Sequence, residues 1–391
     1  MLSRRDLPFQ VPVYSLTGDV LSYQRCPLQY RYYNGSSLPP SRPVQMWTGE
    51  FVHGVLEEAY RVWHQESLPF PWPSTPPGWP PVANPPGLAS HDIGALGQGV
   101  EVRLAAEGKT SRNRQARQAA YHRVEAAINL LGAHLFPLIS TAEQRLSGTR
   151  AMSALPVGEH ARGDRYELTG IVDVISSVVL DTPSTNPLVQ LLSNELQHTP
   201  AGQYDVIVDY KALRRPARSS PFRSHFEWQL QTYAWLRRQQ PNTNPVGAGM
   251  IIYVNELAPS ASEIPDLRRE SLTGDTDIVP PNGSTDYYAL HRWSPGTPLD
   301  LSFDFRLRRA IKIIDVSADN VRESLGRIDS VVAEIESSAY REHNSGHIST
   351  NWRQCGSQQD CVACDFVHFC PSPWGHREPQ DPARNPPSAP G

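Results

Sequence analysis

The sequence predicts an α/β protein in which a mixed β-sheet is flanked by helices. Two observations support this fold class: short β-branched segments typical of buried strands, and amphipathic segments of helical period that alternate with them along the chain. Strands are predicted to end near Asp173 and near Lys211, and a third strand covers 248–254. Helices are predicted at about 44–66, across roughly 95–145, around 226–236 and over about 304–343.

Proline-rich segments divide the chain into regions. The segment 68–86 has too many prolines for a helix or a central strand, and 371–391 has a similar composition that predicts a disordered tail. A further insertion at 181–203 separates the first two predicted strands. We therefore expect an N-terminal segment, a Pro-rich linker, a core, a loop-rich stretch with a long helical segment, a cysteine-containing region and a tail, at 1–67, 68–90, 91–254, 255–343, 344–370 and 371–391.

The charge balance limits the classes of partner. With a formal net charge of −4 over 391 residues, the chain is not coated with basic surface, so any contact with nucleic acid must be local. The best candidate is the loop after Lys211, whose arginines suit phosphate groups, although an ordinary solvated loop is the alternative. These arginines are Arg214, Arg215, Arg218 and Arg223. No apolar run has the length of a membrane span, so we expect a soluble, cytoplasmic protein without a membrane partner.

The strand that ends at Lys211 carries the most informative motif. Side chains at positions i and i+2 of a strand point to the same face, roughly 6.6 Å apart, so Asp209 and Lys211 share a face at the end of an apolar strand. If the strand carrying Asp173 pairs alongside, two carboxylates and one ammonium group converge. Such a group suits a hard divalent cation beside a water or a phosphate. A buried Asp–Lys ion pair is the alternative interpretation.

Two predicted helices carry further candidates. His53 lies at the edge of the apolar stripe of the helix 44–66, where a histidine satisfied within the core is the alternative to a ligand. Gln229 and Tyr233 stand one turn apart on the helix 226–236.

The five cysteines indicate metal ligation. Four of them occur close together as Cys-x5-Cys-x2-Cys-x5-Cys near the end of the chain, and Cys26 precedes a proline near its beginning. An odd number of cysteines without a secretory signal argues against a disulfide framework. The spacing suits either an iron–sulfur cluster or tetrahedral zinc, and nearby histidines keep zinc open. The four clustered cysteines are Cys355, Cys361, Cys364 and Cys370, and the histidines are His343, His347 and His368.

The order of these motifs resembles the RecB-like branch of the PD-(D/E)XK nuclease superfamily. The order is a helix with His53, a strand with Asp173, a strand with Asp209-x-Lys211, and a helix with Gln-x-x-x-Tyr. The resemblance covers most of the chain, excepting the Pro-rich segments and about 256–300, and implies a restriction-endonuclease-like core. Aspartate stands at 209 where the superfamily more often has glutamate, which shortens the reach by one methylene.

The resemblance also implies roles for these residues. His53, Asp173, Asp209 and the carbonyl of Tyr210 are expected to ligate Mg²⁺ or Mn²⁺, and imidazole favours Mn²⁺. Lys211 is expected to orient the attacking water or stabilise the transition state. Gln229 is expected to fix the water or the metal shell, and Tyr233 to contact DNA.

The cysteine pattern resembles the iron–sulfur staple of CRISPR-associated RecB-like exonucleases, exonuclease V and AddB-type nuclease domains. The resemblance implies that Cys26, Cys361, Cys364 and Cys370 hold a 4Fe–4S cluster, with structural zinc as the alternative. Cys355 falls outside that pattern, as a free thiol or a competing ligand.

These motifs together predict a metal-dependent DNA exonuclease that acts on single-stranded DNA or DNA ends, in DNA repair or in a defence or CRISPR-type pathway. No helicase motif is present, so a helicase or CRISPR-associated proteins are expected as separate partners. The alternative is a non-catalytic DNA-end-binding or scaffold subunit of a helicase–nuclease complex. Because every expected catalytic position is filled, the enzyme is the preferred interpretation.

Overall fold

The computed structural model describes most of the chain, namely residues 11–35, 44–180, 184–196, 200–220, 222–356, 358, 361, 364–367 and 370–371. The chain forms two compact units. The first contains Met1–Ser41, Ser147–Gly170 and Leu325–Gly391, and the second contains Arg42–Leu146 and Ile171–Ser324. The predicted tail beyond 371 lies outside the described residues. No helix in the described part of the chain combines the length and the apolar character needed to cross a bilayer.

A six-stranded mixed sheet confirms the predicted fold class. The strand order is β1-β3-β4-β5-β6, and β2 also pairs with β3. Pairs β1/β3 and β4/β5 are parallel, whereas β3/β4 and β5/β6 are antiparallel. The strands are β1 Val13–Ser15, β2 Ile139–Ala151, β3 Arg165–Val179, β4 Gln203–Lys211, β5 Val246–Tyr253 and β6 Ile311–Ile314.

Eleven α-helices are present among the described residues. They are α1 Ser22–Arg25, α2 Pro27–Gly35, α3 Val44–Glu66, α4 Ile93–Ala106, α5 Arg114–Leu135, α6 Pro187–Glu195, α7 Phe222–Arg238, α8 Ile264–Thr273, α9 Thr285–Arg292, α10 Phe303–Ala310 and α11 Ala318–Ser345. Short turns of π-helix at Leu16–Leu21 and of 3₁₀-helix at Phe136–Leu138 and Val254–Glu256 complete the elements.

The second unit is built around β4 and β5. Val206, Ile207 and Val208 are fully buried, because these parallel strands lie in the interior of the sheet and have helices on both faces. The apolar stripe of α3 packs into the same core through Phe51 and Val55. The polar groups at the carboxyl end of β4 are therefore held against a rigid support.

The observed boundaries differ from the expected ones in four places. Residues 139–151 form β2 although helix was expected up to about 145. Strand β3 continues to Val179, because 174–179 pair with β4, so Asp173 lies inside the strand. The expected long helix at 304–343 is interrupted by β6, whose run of isoleucines pairs with β5. The stretch expected to be rich in loops contains α8 and α9.

The Pro-rich segment contains neither helix nor strand, as expected. It is nevertheless packed, since Trp72 is buried in the core of the second unit and Asn129 of α5 bonds both its backbone N–H and its carbonyl. Further along, the side chain of Thr75 donates to Asp92, which also caps the N-terminus of α4. The segment therefore covers the helices of the second unit along a defined path.

The first unit packs the start of the chain against α11. Arg31 of α2 forms a bidentate ion pair with Glu342, which also accepts a hydrogen bond from the indole of Trp352. Trp352 in turn packs edge-on against Tyr23. These contacts place the segment around Cys26 beside the end of α11 and the cysteine-containing region.

Candidate metal centre

One end of the sheet in the second unit brings together most of the expected site residues. Asp173 comes from β3, Tyr210 from β4 and His53 from α3. The backbone N–H of Tyr210 donates to Asp173 Oδ2 at 2.9 Å, which ties the two strands together. His53 and Tyr210 are 157 positions apart in the sequence and contact each other at the end of the strands.

His53 is clamped between two of its expected co-ligands. Its Nε2 atom lies 2.8 Å from the carbonyl oxygen of Tyr210, and its Nδ1 atom lies 3.3 Å from Asp173 Oδ2. Burial disfavours the imidazolium form, but the charge and hydrogen bond of Asp173 outweigh it and raise the pKa of His53 to about 9. Both ring nitrogens therefore carry protons at neutral pH, so Nε2 donates to the Tyr210 carbonyl.

Asp209 and Lys211 lie on the same face of β4, as the i, i+2 spacing predicts. Lys211 Nζ is 2.6 Å from Asp209 Oδ2, and the aspartate is only 2% exposed. Burial raises the pKa of Asp209 to about 6, more than the ammonium group of Lys211 lowers it, and the charge of Asp173 adds to the rise. Apart from this ionic contact, Asp209 Oδ2 accepts no hydrogen bond from the described residues.

Gln229 of α7 connects the components of this group. Its Oε1 atom accepts a hydrogen bond from Lys211 Nζ at 3.0 Å, and its Nε2 group donates to Asp209 Oδ1 at 3.2 Å and to the Tyr233 hydroxyl at 3.3 Å. Lys211 also lies over the ring of Phe226, with Nζ 5.1 Å from the ring centroid. Gln229 therefore fixes the orientation of both charged groups of β4.

Tyr233 lies behind Gln229 and not at the surface. It is only 2% exposed, and burial raises the pKa of its hydroxyl well above the usual value. The expectation that this side chain contacts DNA is therefore replaced by a supporting role, in which its hydroxyl accepts a hydrogen bond from Gln229.

Glu143 is a member of the site that the sequence did not suggest. Ligand atoms of His53, Glu143 and Asp173 all lie within 4.8 Å of one another. Glu143 belongs to β2 and has a φ of +49°, a conformation that redirects its side chain. Burial, and then the charges of Asp173 and Glu57, raise its pKa to about 7. Its only signal in the sequence was the β-branched pair Ile139 and Thr141, which favours a strand over the expected helix.

The donor set fits a hard divalent cation. One imidazole, several carboxylates and a backbone carbonyl are oxygen-rich ligands of the kind that Mg²⁺ and Mn²⁺ prefer. A cavity of about 10 Å³ lined by His53, Glu143, Asp173 and Tyr210 has room for one water-sized occupant. The repulsion of Asp173 with Asp209 and with Glu143 would be relieved by a bound cation.

The predicted phosphate-binding loop is mostly neutralised by acidic partners. Arg214 pairs with Glu270 at 2.7 Å, and Asp277 pairs with both Arg215 and Arg223 at 2.7 and 2.6 Å. Glu270 lies on α8 and Asp277 follows it, so these partners come from the stretch that was expected to be rich in loops. The remaining arginine of the loop, Arg218, is exposed. The expectation of four arginines available to phosphate is therefore wrong for three of them.

The first unit brings the thiols of Cys26, Cys361, Cys364 and Cys370 into electrostatic range. Gln29 bridges two of them, because its backbone N–H donates to Cys26 Sγ at 3.4 Å and its side-chain amide donates to Cys364 Sγ at 3.3 Å. Burial, and then the charges of the other three sulfurs, raise the pKa of Cys364 to about 11. Four sulfurs gathered in this way fit a site completed by a cation or a cluster.

The alternative metal ligands near these cysteines are Cys355 and three histidines. Cys355 is buried and its backbone N–H donates a hydrogen bond to the sulfur of Cys26. The side chains of His343 and His347 are exposed, and His368 lies outside the described residues.

One family model matches the part of the chain that contains the first three residues of this centre. A search of curated proteins finds no significant match. The segment that matches a family model includes His53, Glu143 and Asp173. Residues 19–183 match the family model of the PD-(D/E)XK nuclease superfamily.

Proposed function

We propose that this protein is a metal-dependent DNA exonuclease that hydrolyses phosphodiester bonds in single-stranded DNA or at DNA ends. The observation that carries the proposal is the convergence of His53, Asp173 and the Asp209–Lys211 pair at one end of the sheet. His53, Asp173, Asp209 and the carbonyl of Tyr210 would hold Mg²⁺ or Mn²⁺. When bound, the cation supplies a water of lowered pKa and neutralises charge on the scissile phosphate.

The side chains around the cation have separable tasks. Lys211, which Gln229 orients, would place its ammonium group where negative charge develops on the phosphoryl oxygens. Glu143 has a pKa of about 7, close to the value that suits a general base at neutral pH, and would accept a proton from the attacking water. Tyr233 would hold Gln229 in place. Glu143 would thus add to the roles expected from the sequence.

A cleavage assay tests the proposal. Purified protein is incubated with internally labelled linear single strands, linear duplexes and circular single strands, in Mg²⁺, Mn²⁺ or EDTA. We expect stepwise shortening of linear DNA that requires the metal, with circles resistant. Asp209→Asn and Lys211→Ala should abolish cleavage while retaining DNA binding, and Arg269→Gln, at an exposed position of α8, is the control for the loss of a positive charge. Intact substrate with the wild-type protein in both metals refutes the proposal, and cleavage of circles replaces the exonuclease with an endonuclease.

We also propose a 4Fe–4S cluster held by Cys26, Cys361, Cys364 and Cys370. The electrostatic coupling of these four thiols supports it, as does their spacing along the sequence. Cys355 would stay outside the ligand set and support it through its backbone. Structural zinc at the same cysteines is the competing outcome, and metal analysis separates the two.

We propose a place in DNA repair or in a defence or CRISPR-type pathway, which an activity on DNA ends would suit. A nuclease without a motor would act with a separate helicase or with CRISPR-associated proteins. The competing role is a non-catalytic subunit that only binds DNA ends. Binding of DNA ends without cleavage in either metal would favour that role.

A further inference from the structure

The Pro-rich segment presents an exposed tryptophan on a rigid support. Trp79 is 76% exposed, and the guanidinium carbon of Arg117 lies 5.3 Å from its ring centroid. Arg117 itself is 9% exposed and donates to the carbonyl oxygen of Gly78, the residue before the tryptophan, at 2.9 Å. One face of the indole is therefore supported by a buried cation, while the other faces solvent.

The support is itself fixed from two sides. Glu101 of α4 accepts hydrogen bonds from Arg117 Nε at 2.7 Å and Nη2 at 2.8 Å, and also from the Tyr121 hydroxyl at 2.9 Å. A few residues after the tryptophan, the backbone N–H of Val82 donates to Gln98 of α4. The indole thus has a fixed orientation, and its open face is available to a binding partner.

Two exposed arginines precede Arg117 in the sequence. Arg114 begins α5 one turn before Arg117 on the same helix face, and Arg112 precedes it. Both are exposed and have no ion-pair or hydrogen-bond partner in the described part of the chain. Cations at a helix N-terminus are disfavoured by the helix dipole, so helix stability does not account for them. The loop between α4 and α5 is attached to α3, because Lys109 Nζ lies 2.5 Å from a carboxylate oxygen of Glu50. Glu50 precedes the candidate metal ligand His53 by one turn of that helix.

We propose that Trp79, Arg112 and Arg114 form a contact surface for single-stranded DNA, in which a base stacks on the open face of the indole and the guanidinium groups bind flanking phosphates. Every base offers a π-face, and arginines suit phosphate oxygens, so this pairing is sequence-tolerant. The inference rests on the proposed nuclease function, because it assigns to that enzyme a place that holds the unpaired strand.

Fluorescence anisotropy with a fluorescein-labelled oligo(dT) in EDTA measures this contact without cleavage. Trp79→Ala should weaken binding by about 5- to 100-fold, the range for one stacked base, while Trp79→Phe retains part of the affinity. Binding of the corresponding abasic oligonucleotide should be insensitive to Trp79→Ala. The double variant Arg112→Gln/Arg114→Gln should reduce the slope of log affinity against log salt by roughly 1.4, since each phosphate contact on a single strand contributes about 0.7.

Matched controls are exposed side chains elsewhere in the second unit. Tyr288→Ala removes an exposed aromatic ring, and Arg269→Gln removes an exposed charge; neither should change binding. Equal affinity of the wild-type protein and Trp79→Ala for oligo(dT) overturns the inference. The exposed indole would then be assigned to binding of a protein partner. If the wild-type protein cleaves DNA but the variants bind normally, the contact surface fails and the nuclease stands. If oligo(dT) binding depends on Trp79 in a protein that cleaves nothing, the surface stands and the nuclease fails.

Discussion

The Nε2 atom of His53 lies 2.8 Å from the carbonyl oxygen of Tyr210, so two expected ligands of one cation contact each other directly. The bond is made by an imidazolium whose other nitrogen faces Asp173. A proton therefore occupies the position on His53 that a cation requires. Metal binding and protonation compete for this residue, and the competition can be measured.

We expect binding of Mn²⁺ to release protons and to tighten as the pH rises toward 9. The pKa of His53 is raised to about 9, so the residue is protonated at neutral pH, and only the neutral ring can ligate. Calorimetry at pH 7.5 in buffers of different ionisation enthalpy should show about one proton released from His53 per ion bound. His53→Asn should release about one proton fewer. An equal proton count in both proteins would remove His53 from the ligand set.

Glu143→Gln should lower the rate of cleavage by about 100- to 10,000-fold, as expected for loss of a general base, with little change in Tm. The substitution keeps the shape of the side chain and removes its proton-accepting capacity. Glu125→Gln, at a partly exposed position on α5, is the matched control and should leave the rate unchanged. A variant as active as the control would show that Glu143 has no part in the chemistry.

Serine substitutions should divide the cysteines into two groups. Protein purified anaerobically should be brown and contain about four irons per chain. Each of Cys26→Ser, Cys361→Ser, Cys364→Ser and Cys370→Ser should bleach the colour and lower Tm, because ligation contributes to folding. Cys355→Ser should remain brown, since this residue reaches the group through its backbone N–H. One zinc and no iron would replace the cluster with the zinc alternative, and bleaching by Cys355→Ser would revise the ligand set.

Two glycines of α4 should respond to alanine in opposite directions. A Cβ at Gly94 would lie 1.8 Å from the backbone oxygen of Thr75, whereas a Cβ at Gly99 would meet nothing within 4 Å. Gly94→Ala should therefore reduce the free energy of unfolding by about 1–3 kcal/mol, and Gly99→Ala should raise it by about 0.5–1 kcal/mol through helix propensity. Urea denaturation measures both. Equal stability of the two variants would mean that the Pro-rich segment does not pack against α4.

The sequence predicted what depends on local periodicity. Side-chain alternation along a strand was sufficient to place Asp209 and Lys211 on one face, and the period of an amphipathic helix placed His53 at its edge. Glu143 could not be predicted in this way, because its role depends on a residue conformation with positive φ and on the pairing of β2 with β3. Local patterns do not encode such tertiary requirements.

The same limit explains the arginine loop. Arginines after a predicted active-site strand suggested phosphate binding, yet Arg215 finds its carboxylate partner in Asp277, 62 positions away. Nothing in the sequence near Arg215 predicts that Asp277 is its ion-pair partner. The sequence alone predicts only that Trp79 belongs to a proline-rich linker. The exposure of its indole and the contact with Arg117 depend on the fold.

The contact between Gln29 and Cys364 spans 335 positions of the chain. A ribosome that adds about 5–20 residues per second needs roughly 15–70 s to pass from one to the other. Throughout that interval the thiol of Cys26 has left the ribosome without its three companions. A metal or a cluster that needs all four thiols could therefore be bound only at the end of translation or later, when most of the chain has had time to fold.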